Sequence, residues 1–163
     1  MATAKKAGVR KNSEAVDDYL KAVYSLGGDP VRRVGGSEIA ARLGVAPASV
    51  TNMLQKLAGE KRPLIDYKNR AGVTLTAAGR KRALEIVRHH RLIETFLFEV
   101  LGYPIAELHD EAERLEHFIS ETFEQRVAAK LKHPTRDPHG HCIPAMDGTM
   151  PPEHGVSCRC GTP

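Results

Sequence analysis

Apolar residues recur at three- and four-residue spacing through most of the chain, and the places where that rhythm breaks divide it into elements. From Ser13 the run SEAVDDYLKAVYSL sets Val16, Tyr19, Leu20, Val23, Tyr24 and Leu26 on one helical stripe, with Ser13 as cap and Gly27-Gly28-Asp29-Pro30 as stop. Asp17 and Asp18 fall in the first turns, where the helix dipole favours negative charge, and that effect alone would account for them. A second helix opens at Gly36-Ser37 and continues through EIAARLG. Gly44 ends it, and Val45-Ala46-Pro47 leads into a third, ASVTNMLQKLAG. Ile39, Ala40, Leu43, Val50, Met53, Leu54 and Leu57 share the inward side of this pair, which predicts a helix-turn-helix.

Two short β-prone runs follow, Leu64-Ile65-Asp66-Tyr67 and Val73-Thr74-Leu75-Thr76, on either side of the basic turn Lys68-Asn69-Arg70-Ala71-Gly72. A hairpin after a helix-turn-helix is a wing. Thr76 then caps a long helix predicted over 77–102, polar at Arg80, Lys81 and Arg82 and strongly apolar after Arg91. That apolarity exceeds what one helix buries in a small domain, so a dimer interface is expected nearby. After Gly102-Tyr103-Pro104 the pattern predicts helices over 105–120 and 121–132. Beyond Pro134 the periodicity stops in a Pro- and Gly-rich stretch, read as an irregular tail.

Charge changes this picture by dividing it. Residues 1–80 hold 14 Lys and Arg against 7 Asp and Glu, whereas 81–163 hold 10 against 13 and carry all eight histidines. A basic first half suits a phosphate backbone; an acidic, histidine-rich second half suits a cation. The outward side of the third helix offers Ser49, Thr51, Asn52, Gln55 and Lys56 to base edges or phosphates, and the wing tip offers Lys68 and Arg70. No apolar run approaches the ~20 residues that span a bilayer. The basic start, MATAKKAGVRKNS, lacks the apolar centre of a signal peptide, so a flexible arm over 1–12 and a cytoplasmic protein are expected. The three cysteines, Cys142, Cys158 and Cys160, all lie in the tail. With His139, His141 and His154 they could hold Zn²⁺, but their irregular spacing favours a tail without a metal.

The candidate chemistry lies in 90–117. His90 and Glu94 are one helical turn apart, and His109, Glu113, Glu116 and His117 recur at spacings of three, four, seven and eight, which places them on one face. Two imidazoles and two carboxylates suit a divalent cation. Glu113 and Glu116 would repel if left unpaired, a cost a cation offsets.

Taken together, DDYLKAVYSL, SEIAARLGVAPASVTNMLQKL, GVTLTAAGR, HHRLIETFL, HDEAERLEH and DPHGHCIP resemble the diphtheria-toxin-repressor family of metal-dependent transcriptional regulators, manganese-responsive type included. The resemblance spans about 14–147. It implies a mainly α fold with a winged helix-turn-helix DNA-binding domain over 13–78, an all-helical metal-binding and dimerisation domain over 79–134, and a tail over 135–163. Longer members carry a further small β-barrel domain, for which this chain is too short. By position, the resemblance makes Asp18, Glu113, Glu116 and His117 an effector metal site and His90, Glu94 and His109 a second site. It makes Ala48, Ser49, Thr51 and Asn52 base-reading residues, with Lys56 near a phosphate.

Two departures bear on the metal. Where iron-type members have a thioether and a thiol, this chain has Asp18 and Glu113, whose hard oxygens favour Mn²⁺ by ligand type, with Fe²⁺ second. Where the manganese branch has another carboxylate, one turn beyond the aspartate, this chain has Lys21. That argues against a closely spaced two-metal cluster and for separate sites, with one or two ions per subunit. The expected function is repression of metal-uptake genes by a homodimer on a palindromic operator, without membrane involvement. A winged-helix regulator sensing a non-metal signal stands as the alternative. A metal-dependent helical enzyme is the weaker one: the chain lacks the paired Glu-x-x-His of di-iron bundles, a His-Glu-x-x-His motif and a nucleophile elbow.

Overall fold

The structure is a computed structural model that describes residues 13–28 and 32–152. The basic arm, the Ser13 side chain, the Asp29-Pro30 stop, His154, Cys158 and Cys160 fall outside the described residues.

Three helices, α1 (Ser13–Gly27), α2 (Gly36–Leu43) and α3 (Pro47–Ala58), precede a hairpin of β1 (Ile65–Lys68) and β2 (Gly72–Leu75). Their apolar stripes meet in one cluster that includes Leu20, Val34, Ile39, Val50 and Val73, all fully buried. Each such side chain contributes roughly 1.5–3 kcal/mol by leaving water. Pro47 stands in the first turn of α3, where its missing N–H costs nothing.

The hairpin is antiparallel, with Ile65 opposite Leu75 and Lys68 opposite Gly72. Ile65 and Val73 face the core while Asp66 and Lys68 face out, the alternation of a half-buried strand. The pattern gave no hint of a third extended piece, yet Val34 exchanges backbone hydrogen bonds with Val73 at 2.8 and 2.9 Å. Gly72 makes this possible: its φ is +92°, and a Cβ there would lie 2.5 Å from the Val34 carbonyl oxygen.

Thr76 caps α4 (Ala77–Glu99) as expected, accepting from the Gly79 N–H at 3.1 Å and donating to the Pro63 carbonyl at 3.0 Å. The start of α4 packs so closely on the chain entering the wing that a Cβ on Gly79 would lie 1.8 Å from the Leu64 carbonyl oxygen. Ala83 belongs to the N-terminal core, whereas Leu92, Ile93 and Leu97 belong to the second unit, so α4 runs through both. A 3-10 turn (Ile105–Glu107), α5 (Leu108–Leu115) and α6 (Glu121–Lys130) complete the described helices.

The helix expected over 105–120 is therefore shorter: regular α-geometry ends at Leu115, and Glu116 and His117 stand in the turn after it. Ser120 caps α6 by accepting from the Phe123 N–H, and the chain must leave α5 within a few residues to reach that cap. The long helix likewise ends at Glu99 rather than 102. The segment 135–152 is irregular, as expected, but it is not detached. Cys142, Ile143 and Pro144 are buried, and Ile143 packs with Leu92, Val127, Ala128 and Leu131. Among the described residues, no helix is long and apolar enough to cross a membrane.

Candidate metal centre

Four elements converge on one seam between the N-terminal unit and the second unit. From α1 come Asp17, Asp18 and Lys21, one helical turn on one face. Helix α4 supplies His90 and Glu94, and α5 with its following turn supplies His109, Glu113, Glu116 and His117. Asp137, His139 and His141 reach the same region from the irregular segment.

Glu116 is the hub. Its side chain is fully buried, with Oε2 2.6 Å from His90 Nδ1 and Oε1 2.7 Å from Lys21 Nζ and 3.4 Å from His117 Nε2. On its other ring nitrogen His90 meets Glu94 Oε1 at 3.1 Å and His109 Nδ1 at 3.2 Å. Burial would discourage charge on His90, but its hydrogen bonds to Glu116 and Glu94 outweigh that and hold its pKa up to about 9. His109 shifts the other way, lowered by burial and by the neighbouring His90 charge. Glu113 Oε1 lies 2.6 Å from Lys21 Nζ, and despite burial the lysine keeps the Glu113 carboxyl below its ordinary range.

His117 Nε2 lies 3.0 Å from Asp18 Oδ1, and that hydrogen bond raises the His117 pKa against the effect of burial. His117 Nδ1 is buried without a hydrogen-bond partner, 3.9 Å from Asp17 Oδ2. Asp17 is itself held by Arg82 Nε at 2.5 Å. His117 thus has Asp17 behind its Nδ1, beyond hydrogen-bond distance, and presents Nε2 to the seam.

The donor chemistry fits a divalent cation. Buried carboxylates need compensating positive charge. Here protons on histidines and the Lys21 ammonium supply it, and a metal would exchange for the protons. Asp18, Glu116 and His117 each offer a ligand atom, all within 4.8 Å of one another, and His90, His109 and Glu113 do the same. A cleft of about 340 Å³ bordered by Asp18, Lys21, Arg42, His109 and Glu113 gives access to the seam.

The structure therefore brings together all seven residues expected as ligands but groups them differently. Glu113 lies with His90 and His109 instead of with Asp18 and His117, and Glu94 keeps Oε1 on His90 while its Oε2 lies 3.5 Å from His139 Nδ1. Three groupings differ from the sequence reading, in which His139 and His141 are possible Zn²⁺ partners of the cysteines and Lys21 is a missing ligand. Asp137, His139 and His141 form a further group of possible ligands, with Asp137 Oδ1 accepting from the backbone N–H of both histidines at 2.9 Å. Their i, i+2, i+4 spacing was the available signal, obscured by the Pro and Gly around it. His89 turns from the seam to Glu124 of α6, with Glu85 and Glu121 nearby, and its Nδ1 lies 3.2 Å from the Glu116 carbonyl oxygen. Lys21 contacts both Glu113 and Glu116, a role no spacing rule reveals.

In the N-terminal unit, Ala48, Ser49, Thr51, Asn52, Gln55 and Lys56 are all exposed on α3. Lys68 and Arg70 are exposed at the wing, where Arg70 adopts a left-handed φ of +63°. Exposed apolar side chains gather elsewhere: Phe98, Leu101, Ile105 and Phe118 lie around the ends of α4 and α5.

Comparison with known proteins matches both units to one family. Residues 11–73 match the iron dependent repressor N-terminal DNA binding domain, and 76–145 match the iron dependent repressor metal binding and dimerisation domain. The chain is 34% identical over 136 residues to the iron-dependent repressor IdeR of Mycobacterium leprae, covering 82% of this chain and 56% of that protein. It is 32% identical over 137 residues to the diphtheria toxin repressor of Corynebacterium diphtheriae, covering 82% and 58%. A solved manganese-dependent transcriptional repressor in complex with manganese superposes with a TM-score of 0.76 at 43% identity, covering 83% of this chain and 61% of that one. The chain spans a little over half the length of these curated relatives. With both of its units matched in order and a seam of cation-ready side chains between them, the chain belongs to the iron-dependent repressor family of metal-dependent transcriptional regulators.

Proposed function

We propose that this protein is a metal-activated DNA-binding repressor of metal-uptake genes that acts as a homodimer on a palindromic operator. The observation that carries the reading is the Asp18, Glu116 and His117 group: Asp18 stands on α1 of the DNA-binding unit, the other two on the second unit, with ligand atoms within 4.8 Å. A bound divalent ion supplies one centre of positive charge to which carboxylates of both units are drawn. Asp18 and Glu116 then fix α1 against the turn after α5, while Glu113, one turn earlier, is held to α1 by Lys21. Exposed Phe98, Leu101, Ile105 and Phe118 supply the apolar surface for a two-fold partner. Fixing α1 fixes the spacing of the two α3 helices, which enter successive major grooves.

The effector site comprises Asp18, Glu113, Glu116 and His117, and His90, Glu94 and His109 form the supporting site. Carboxylate-rich donors without sulfur favour Mn²⁺, with Fe²⁺ second. The similar solved repressor carrying manganese supports that order. Ala48, Ser49, Thr51 and Asn52 face the bases. Gln55, Lys56, Lys68 and Arg70 face the backbone. Metal raises DNA affinity by raising the fraction of dimers with the competent spacing. The test is fluorescence anisotropy on a duplex selected from a random library by the Mn²⁺-loaded protein, repeated with EDTA. A roughly five- to 150-fold weaker affinity in EDTA is expected, and equal affinities would end the metal-switch reading.

A further inference from the structure

The ammonium of Lys21 lies 2.6 Å from Glu113 Oε1 and 2.7 Å from Glu116 Oε1, and its side chain is only 15% exposed. Each of those carboxylates also belongs to a different group of possible ligands: Glu113 to the His90 and His109 group, Glu116 to the Asp18 and His117 group. The two groups touch, because Glu116 contacts both His90 and His117. Lys21 is therefore wedged where two neighbouring ions would have to share their carboxylates.

We propose that Lys21 is a tethered cation standing in for one of two divalent ions, so that the seam takes a single ion, at Asp18, Glu116 and His117. The inference rests on the proposed metal seam and adds its stoichiometry. An ion in the His90, His109 and Glu113 group must detach that group's sole carboxylate from the ammonium, whereas the Asp18, Glu116 and His117 group has a second carboxylate, Asp18, paired with His117 instead. If the lysine stays, the ion sits beside a fixed positive charge while the other ion sits on its far side. Like charges at such separations in a poorly solvated site are strongly unfavourable. A lysine is also always present, whereas a second ion must be recruited from solution. The ammonium reaches from α1 to Glu113 on α5 and Glu116 in the turn after it, so it links the two units in the way the second ion would.

The reach of Lys21 follows from the helix. It lies three residues after Asp18, so one face of α1 presents a carboxylate to the ion and an ammonium to the neighbouring carboxylates. The same face thus carries both a ligand and the group that limits how many ions can be ligated.

The test is Mn²⁺ binding to the full-length dimer, counted by equilibrium dialysis and examined by low-temperature EPR. All proteins carry Asp137→Ala and His139→Ala to empty the outer cluster. With native Lys21, the protein should lose one ion per chain on His117→Ala and show the spectrum of isolated Mn²⁺. Lys21→Glu should gain one ion per chain and show a spin-coupled pair. Lys21→Met, which removes the charge without adding a ligand, should gain the same ion at higher Mn²⁺ and serves if Lys21→Glu does not fold by circular dichroism. A coupled pair with native Lys21, or no gain in either variant, overturns the proposal and leaves the metal seam standing. An unchanged count on His117→Ala overturns both.

Discussion

In the N-terminal unit the fully buried side chains include Leu20, Val34, Ile39, Val50, Leu54, Leu57 and Val73, gathered in one apolar cluster. In the second unit the apolar interior is split into two smaller clusters, and the buried residues between and beside them include Arg88, His89, His90, Glu94, Glu116, Glu124 and Asp137. Apolar burial is indifferent to ions and protons. A buried charge network is not, because each group keeps its charge only while a partner compensates it. The first unit is thus built to keep its shape, and the second to change its stability with whatever cation it holds.

The comparison breaks most plainly at Leu20. Leu20→Ala should cost roughly 2–5 kcal/mol, as large-to-small changes in tight cores do. If the N-terminal core is independent of the seam, melting curves should give the same loss in Mn²⁺ and in EDTA. A loss that appears only in EDTA would mean that the two kinds of interior are one.

Proton dependence comes next. In the metal-free protein the His90 pKa stands at about 9 against an ordinary value near 6.5. A raised histidine stabilises the fold fully below the unfolded value, and that contribution is lost as pH rises through the folded value. The loss should amount to roughly 3 kcal/mol between about pH 6.5 and 9, at 1.36 kcal/mol per unit. Melting temperature in EDTA should therefore fall over this window. With saturating Mn²⁺ the fall should shrink, because an ion on Glu116 engages one of the carboxylates that hold the His90 proton and adds a positive charge beside it. A metal-free protein whose melting is flat from pH 6.5 to 9 would show that His90 is neutral in the fold.

The difference between the two units also explains what could be read from the chain. The N-terminal elements were legible because each apolar residue repeats a helical or strand period, and Thr76 and Gly44 mark ends by local chemistry. The ligand residues were legible as residue types at helical spacing. Their grouping was not, since it depends on what other elements bring to the seam. Regular helix closes at Leu115, yet Lys21 from α1 holds both Glu113 and Glu116, and it is the side chains that α1 and α4 bring to the seam that place Glu116 with Asp18 and Glu113 with His90 and His109. Lys21 read as a missing ligand, and its two ion pairs span 92 and 95 residues of chain, beyond any local pattern. The irregular segment hid Asp137, His139 and His141 for a related reason: nothing periodic announces that Ile143 is anchored in a core.

Smaller effects follow at the junction between the units. Asp18→Ala removes the ligand that α1 lends to the seam while leaving Glu116 and His117 in place. It should lower the DNA affinity in Mn²⁺ by ~1–3 kcal/mol, the usual size of a coupling between sites, with little change in EDTA. Glu113→Ala should weaken the response and leave the dimer intact by analytical ultracentrifugation. Equal losses in Mn²⁺ and EDTA would move Asp18 from the switch to the scaffold.

The smallest effect separates two parts of the N-terminal surface. Arg70 stands at the wing tip on a left-handed backbone, exposed, with its charge free to follow a phosphate. A phosphate contact releases a counterion and carries no sequence information, so Arg70→Ala should weaken binding to all duplexes alike and lower the salt slope by about 1 per bound subunit. Asn52 on α3 carries no charge, and its amide can make two hydrogen bonds to an adenine edge. Asn52→Ala should therefore leave the salt slope unchanged and cost ~1–3 kcal/mol only on duplexes with the preferred base at its position. Measuring anisotropy against salt for both variants, on the selected duplex and on a scrambled one, decides the assignment. The opposite pattern would place the reading surface on the wing and the anchoring surface on α3.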